Sequence, residues 1–248
     1  MKLYLGSRDY APPGYLTVDI DAAHRPDIVA DVTDLRQIAD GDVEEICASH
    51  ILEHLAWPTA FKALAEWTRI LAKGGQLRLA VPDLGMLAAM VADGRNCWTA
   101  AGLIFGVGRL ENPLEAHQFG YTQAMLRDML RALGFGQFAW WKHDIPDASN
   151  GWMPVENGGR MAISLNLQAR KLRPPVAPPG DLLAELMTDR MAPFDQVHAR
   201  VVARRGSPAD MTEGDPLLTQ QLHMELIEAR MRILHLEDEL RRGSDRPG

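Results

Sequence analysis

Hydrophobic positions alternate or run in short blocks along the first eighty residues. Residues 2–6 read as a strand with Leu3 and Leu5 facing one way, and residues 15–21, 27–32, 43–48 and 76–81 read as four more. Between the last two, Phe61, Leu64, Ala65, Thr68 and Leu71 recur at helical spacing. Lys73-Gly74-Gly75 then gives a basic last turn and a residue free to take a positive φ. Two apolar strands joined through an amphipathic helix predict a parallel βαβ unit. Ligands of open parallel sheets bind beyond the carboxyl ends of the strands. Here those ends carry Ser49-His50 and Pro82-Asp83. The other connections are short helical or turn segments, such as residues 34–38.

The second half continues the pattern. Residues 84–94 read as a helix with Met86, Leu87, Met90 and Val91 on one side. Residues 96–114 are an apolar, glycine-containing insert. Thr122 is a plausible N-cap for a helix whose apolar face is Met125, Leu126, Met129, Leu130 and Leu133, closed by Gly134. Residues 137–141 and 161–169 read as two closing strands, with 144–159 a loop between them. The predicted fold is therefore a doubly wound, Rossmann-like α/β sheet over residues 1–172. RPPVAPPG at 173–180 starts a proline-rich linker, 173–215, with a short helix at 181–191. Residues 216–242 read as a long helix. Thr219, Leu222, Leu226, Ala229, Ile233, Leu236 and Leu240 repeat at alternating spacings of three and four, which is a coiled-coil seam. Glu225 with Arg230 and Arg232 with Glu237 suit a parallel homodimer; an amphipathic helix packed on the domain is the alternative.

Composition narrows the class. The 33 acidic and 26 basic residues give a formal charge of −7, so the electrostatic footprint of a nucleic-acid binder is missing. Two cysteines, Cys47 and Cys97, exclude a disulfide framework. MKLYLGSRDY has no signal-peptide h-region, and no apolar run approaches the ~20 residues a membrane span needs. These features set the expectation of a soluble, cytoplasmic protein without membrane insertion.

The run HILEHL after the fourth strand, followed by RILAKGG and the fifth strand, resembles the class I S-adenosylmethionine (SAM)-dependent methyltransferase superfamily, type 11-like with a short glycine loop. The resemblance extends over residues 1–171. It implies S-adenosyl-L-methionine as cofactor and an acceptor site or lid in the insert after the fifth strand. The family's glycine-rich first turn is reduced here to Leu5-Gly6-Ser7-Arg8, with Arg8 where a second glycine often lies. Pro12-Pro13-Gly14 follows, so the first crossover must be an irregular loop rather than a helix. Gly6 and Ser7 are the candidates for contact with the methionyl end. Asp19, at the end of the second strand, is the candidate for the ribose hydroxyls, with Asp21 as alternate; the same logic places an acid near the ribose in dinucleotide sites. Asp31 and the Val32 backbone resemble the family's adenine contacts, although Asp31 also suits a turn N-cap. Ser49 lies where backbone passes beside the cofactor.

His50 is the candidate general base for an acceptor hydroxyl. Its alternative is a hydrogen-bonding residue that shapes the loop. Asp83, His117 and Tyr121 are further candidates for an acceptor pocket, and Trp98, Trp140, Trp141 and Trp152 could stack on an acceptor or simply pack. Methyl transfer is an in-line displacement at an activated sulfonium, so positioning and desolvation supply much of the acceleration without a strong base. His50-Ile51-Leu52-Glu53-His54 also matches the zinc-hydrolase pattern H-x-x-E-H. His50 sits at a strand exit, and Pro58 cramps any helix there, so no metal site is expected. The function expected is methyl transfer to an oxygen or nitrogen of a small-molecule or glycan acceptor. The competing expectation is a degenerate methyltransferase-like scaffold that binds partners through its coiled coil.

Overall fold

The computed structural model describes residues 1–93, 97–106, 116–141, 147–154, 160–175, 177–178 and 180–182. All lie within the compact unit Met1–Arg190. The expected helix at 216–242, and most of that at 181–191, fall outside the described residues.

Among the described residues, nine strands and four α-helices follow one another: β1 (Lys2–Leu5), β2 (Leu16–Asp19), β3 (Ile28–Val29), β4 (Val43–Ser49), α1 (Trp57–Ile70), β5 (Leu71–Pro82), α2 (Leu84–Asp93), α3 (Cys97–Phe105), α4 (Gln123–Ala132), β6 (Phe135–Trp140), β7 (Trp152–Pro154), β8 (Arg160–Ala162) and β9 (Ser164–Lys171). Seven strands form one sheet in the order β3-β2-β1-β4-β5-β9-β6. The first five are mutually parallel, and β9 runs antiparallel to both neighbours. This is a Rossmann-like mixed sheet. The chain leaves β1 toward β2 and β3, then returns to the other side of β1 at β4. That reversal opens a crevice at the carboxyl ends of β1 and β4, where ligands of such sheets bind.

Strand alternation sorts the two sheet faces. Leu3, Leu5, Ile46, Ala48, Leu77, Leu79 and Val81 face one side, where Phe61, Leu64 and Trp67 of α1 and Leu126, Met129 and Leu130 of α4 complete the core. Pro58, at the first turn of α1, starts the helix rather than cramping it. The indole of Trp67 donates to Val32 O at 2.8 Å and ties α1 to the start of the connection from β3 to β4. Thr122 caps α4 as expected, its hydroxyl accepting from Met125 N at 3.3 Å.

The opposite face holds Tyr4, Cys47, Ala80 and Trp141. Residues 6–15, between β1 and β2, form only turns, as the crowded prolines require. Tyr10 and Tyr15 from this loop pack edge-to-face on Tyr4 at 5.6 and 6.4 Å. Among the described residues these aromatic side chains take the place of a crossover helix. They bring a buried carboxylate with them. Glu45 accepts from the Tyr15 hydroxyl at 2.6 Å and pairs with Lys2 at 2.9 Å and Arg78 at 3.0 Å. Burial alone would raise this carboxyl, but Tyr15, Lys2 and Arg78 outweigh it and hold Glu45 below its ordinary value.

Three elements differ from the sequence reading. β3 is only two residues long, because Asp27 is spent on side-chain bonds to Thr17 N and Oγ1, both at 2.8 Å. β5 begins at Leu71 rather than 76: Leu71 pairs with Val43, and Gly74 (φ +80°) with Gly75 forms an irregularity inside the strand instead of a separate helix cap. β7 and β8 pair as a small second sheet where a loop and a single closing strand were expected. No described helix is long and apolar enough to cross a membrane.

A group whose carboxyl is depressed in the folded state adds stability above its unfolded value and loses it as pH falls through the folded one. Urea unfolding between pH 7 and pH 3 should therefore show stability falling below the ordinary value of 4.5. Glu45→Gln should flatten that fall; parallel curves for the two proteins would contradict the role given to Glu45.

Candidate functional site

Strand register brings the chain ends of the crevice together. Leu5 lies opposite Val18 on one side and Ala48 on the other, so Gly6 emerges between Asp19 and Ser49. Gly6 has φ +67°, and a Cβ there would stand 2.6 Å from Ile51 Cδ1. The glycine permits the loops after β1 and β4 to touch. Gly6 N and Ser7 N both donate to Val18 O, at 2.8 and 3.3 Å. Arg8, where the resembling family often has glycine, also holds a positive φ, +44°. Its backbone N donates to Asp19 Oδ2 at 2.8 Å, while Asp21 N donates to Oδ1 at 2.9 Å. Asp19 is 7 % exposed and stitches the β1 loop to the β2 exit. Each of its oxygens keeps a second lone pair for a ligand hydroxyl. Asp21 is more open: its side chain is 59 % exposed and caps the short turn Ala22–His24 through Ala23 N.

β3 pairs with β2, and Ala30 N donates to Asp19 O at 2.9 Å, which sets Asp31 beside the Asp19 loop. Asp31 accepts from Thr33 N at 2.8 Å, the turn-capping bond anticipated as its alternative role. Gly6, Asp19, Asp31, Val32 and His50 all line one cleft of about 570 Å³, together with Arg8, Asp21, Ile51 and His54. Ser7 and Ser49 do not; they line an adjoining cleft, also about 570 Å³, with Tyr4, Tyr10 and Asp147. Gly6, Arg8, His50 and His54 border both clefts. Ser49 Oγ is buried and has no hydrogen-bond partner among the described residues at normal geometry. Burial first, then the 2.8 Å bond to Asp147, pushes the Tyr4 hydroxyl far above its usual range, so it remains a donor.

His50 leaves β4 with φ +54° and is anchored on both ring nitrogens. Nδ1 lies 2.8 Å from Glu53 Oε1 and Nε2 lies 2.9 Å from Ser164 Oγ. The hydrogens can be placed by working back from Asn166. Asn166 Nδ2 donates to Ser149 O at 3.3 Å, so its Oδ1 faces Ser164 and accepts the Ser164 hydroxyl at 2.8 Å. Nε2 of His50 must then donate to Ser164 Oγ. One proton remains for the Nδ1–Glu53 contact, shared by an imidazole and a carboxyl. A base working through Nε2 needs that nitrogen free and facing the cleft; here it is a donor turned toward a serine that is 1 % exposed. The geometry is that of the loop-shaping alternative.

The remaining candidates separate. Asp83 accepts from Met86 N at 3.2 Å at the start of α2, and Tyr121 is fully buried with its hydroxyl on Leu52 O at 3.3 Å. His117 meets His54, ring centroids 4.8 Å apart and nearly perpendicular. Burial, then the neighbouring His117, lowers His54 against the opposing pull of Glu53. Trp141 is buried with its indole on Leu79 O at 3.0 Å, whereas Trp98, Trp140 and Trp152 are exposed; no tryptophan lines either cleft. Arg8, Ser164 and Asn166 were not among the sequence candidates, and Glu53 entered only through the H-x-x-E-H pattern. Of the first three, only Arg8 carried a signal, its place in the glycine turn.

Residues 12–79 match the family profile described as "Methyltransferase domain". Over that segment the chain is similar to methyltransferase domains. The match runs from the β1–β2 loop through most of β5 and bears out the resemblance read from residues 45–84. It starts after the unusual Gly6–Arg8 turn. No curated protein matches the chain. Among solved structures, a SAM-dependent methyltransferase from Archaeoglobus fulgidus aligns with TM-score 0.46 and 13 % identity over 68 % of this chain and 85 % of that one. One from Methanosarcina mazei aligns with TM-score 0.47 and 14 % identity over 69 % and 92 %. A Burkholderia thailandensis 1,6-didemethyltoxoflavin-N1-methyltransferase, solved with its substrate and S-adenosylhomocysteine, aligns with TM-score 0.42 and 17 % identity over 69 % and 71 %.

Gly6→Ala should cost about 1–2 kcal/mol through its left-handed backbone, read by urea unfolding. Ile51→Ala in the same chain should relieve the crowding and leave that backbone cost. An unchanged midpoint in Gly6→Ala would show that the loop does not need a glycine.

Proposed function

We propose that this protein transfers a methyl group from SAM to an oxygen or nitrogen nucleophile. The observation that carries the reading is the pair of equal clefts at the sheet's carboxyl edge, with Gly6, Arg8, His50 and His54 as their common border. SAM supplies a methyl group already activated on a sulfonium. The donor set of the first cleft fits its parts. Asp31 has an oxygen for the adenine amine beside the Val32 backbone, Asp19 and Asp21 offer acceptors for the ribose diol, and the Gly6–Ser7 backbone can approach the methionyl end. Arg8 borders that end and is suited to its carboxylate, which gives the departure from glycine a use.

The second cleft would hold the acceptor. Its lining is hydroxyls and a carboxylate: Tyr4, Ser7, Tyr10, Ser49 and Asp147. Such groups hydrogen-bond a polar nucleophile and orient it toward the border. In this reading His50 positions rather than deprotonates. Held by Glu53 and Ser164, it fixes the β4 exit against the Gly6 loop, and the proton leaving an acceptor passes to solvent or to a carboxylate of the cleft. A small polar acceptor, with glycans as one class, suits this lining. The scaffold alternative gains no support from the described residues, since its coiled coil lies outside them.

Isothermal titration with SAM and S-adenosylhomocysteine tests the reading. Asp21→Ala should weaken both ligands by about 10–100-fold, the loss of a hydrogen bond to a charged group, with only the roughly 1 kcal/mol of stability that loss of its cap on Ala23 N costs. Asp19→Ala should weaken them and destabilise the fold as well. Absence of binding to the folded wild type at millimolar ligand would overturn the proposal.

A further inference from the structure

Glu53, His54 and His117 form a second cluster at the edge of the clefts, although Glu53 also holds His50 and His54 borders both clefts. One ligand atom from each of the three lies within 4.8 Å of the other two. Both rings are oriented by backbone. His54 Nδ1 lies 3.3 Å from Ala116 O and His117 Nδ1 lies 3.0 Å from Leu103 O. A carbonyl only accepts, so each Nδ1 carries the hydrogen and each Nε2 keeps its lone pair. This outer bonding of one ring nitrogen is the arrangement that orients metal-binding histidines.

The carboxylate points the same way. Glu53 is 1 % exposed, and Oε1 is taken by His50. Oε2 is buried with no hydrogen-bond partner among the described residues. A buried carboxylate oxygen without a partner is costly, and a cation would satisfy it. We infer that Glu53, His54 and His117 bind a divalent transition-metal ion of the zinc class. Two imidazoles and a carboxylate select such an ion over magnesium or calcium, which prefer all-oxygen shells. Tetrahedral zinc with bonds of about 2.0–2.2 Å keeps its ligand atoms roughly 3.4 Å apart. Closing the cluster needs an inward shift of under about 1 Å per side chain, within reach of two half-buried rings. Three protein ligands leave a coordination position for water or a substrate oxygen.

The site is not the H-x-x-E-H pattern of the sequence, because the His50 ring turns away to Ser164. The third ligand is His117, 63 positions after His54, which the H-x-x-E-H pattern weighed in the sequence does not include. Binding would staple the segment around His117 to the β4 exit, where Gln118 N and Phe119 N already donate to Glu53 O at 2.8 and 3.2 Å. The inference does not depend on the cofactor reading.

The test uses the untagged full chain stripped with chelator, titrated with Zn²⁺ and with Co²⁺. One equivalent should bind, and Co²⁺ should give a visible absorption without a thiolate charge-transfer band. His54→Ala and His117→Ala should each weaken binding by at least about tenfold. His235→Ala, outside the described residues, should leave it unchanged. If the alanine variants fail to fold, His117→Asn and the wild-type Co²⁺ spectrum decide. No uptake by the wild type, a thiolate band, or full affinity in both His54→Ala and His117→Ala would overturn the site.

Discussion

Ten residues, 6–15, join two parallel strands that usually need a dozen or more between them, and there is no room for a covering helix. Much of the structure follows from how this constraint is met. The loop is held by Asp19, which accepts Arg8 N and Asp21 N on its two oxygens. Its tyrosines, Tyr10 and Tyr15, close the sheet face over Tyr4 of β1; the Tyr15 hydroxyl donates to Glu45 and that of Tyr4 to Asp147. Because no helix begins after Gly6, the crevice between β1 and β4 stays broad, and two clefts rather than one open along it.

The polar side of that crevice is a continuous chain of bonds. It runs from Glu53 through His50, Ser164 and Asn166 to Ser149, and through Asp147 to Tyr4. Networks of this kind rigidify a site when every member is satisfied. One member falls short at Glu53 Oε2, and Ser49 Oγ, which lines the second cleft outside this chain, is also buried without a hydrogen-bond partner among the described residues. An unsatisfied buried group at a cleft is one that a bound partner would satisfy.

The parallel half of the fold was legible because its strands are apolar runs ended by turn residues, and α1 and α4 because their apolar positions keep the helical period. The Thr122 cap was legible for a local reason, one side chain and one backbone amide. The carboxyl-end residues Gly6, Asp19, Asp31, Val32 and His50, named from strand ends together with the methyltransferase resemblance, line one cleft because strand ends converge in any such sheet. What was hidden is long-range. Nothing near His50 announces that residue 164 will receive its ring, and nothing near His54 announces His117. β7 and β8 were obscured by the Pro, Asn and Gly content of residues 144–159, where pairing between strands overrides local propensity. Pro58 lies in the first turn of α1, so residues 50–54 precede that helix, as expected from their place at a strand exit.

The central claim is that a methyl donor sits in the cleft of Asp19, Asp21 and Asp31 and reacts across the border formed by Gly6, Arg8, His50 and His54. A crystal structure with S-adenosylhomocysteine tests it most directly. The account predicts the ribose at Asp19 or Asp21, the adenine at Asp31 and Val32, and the sulfur at the border facing Tyr4, Ser49 and Asp147. An adenosyl group found in the Tyr4–Asp147 cleft, or away from both, would contradict it.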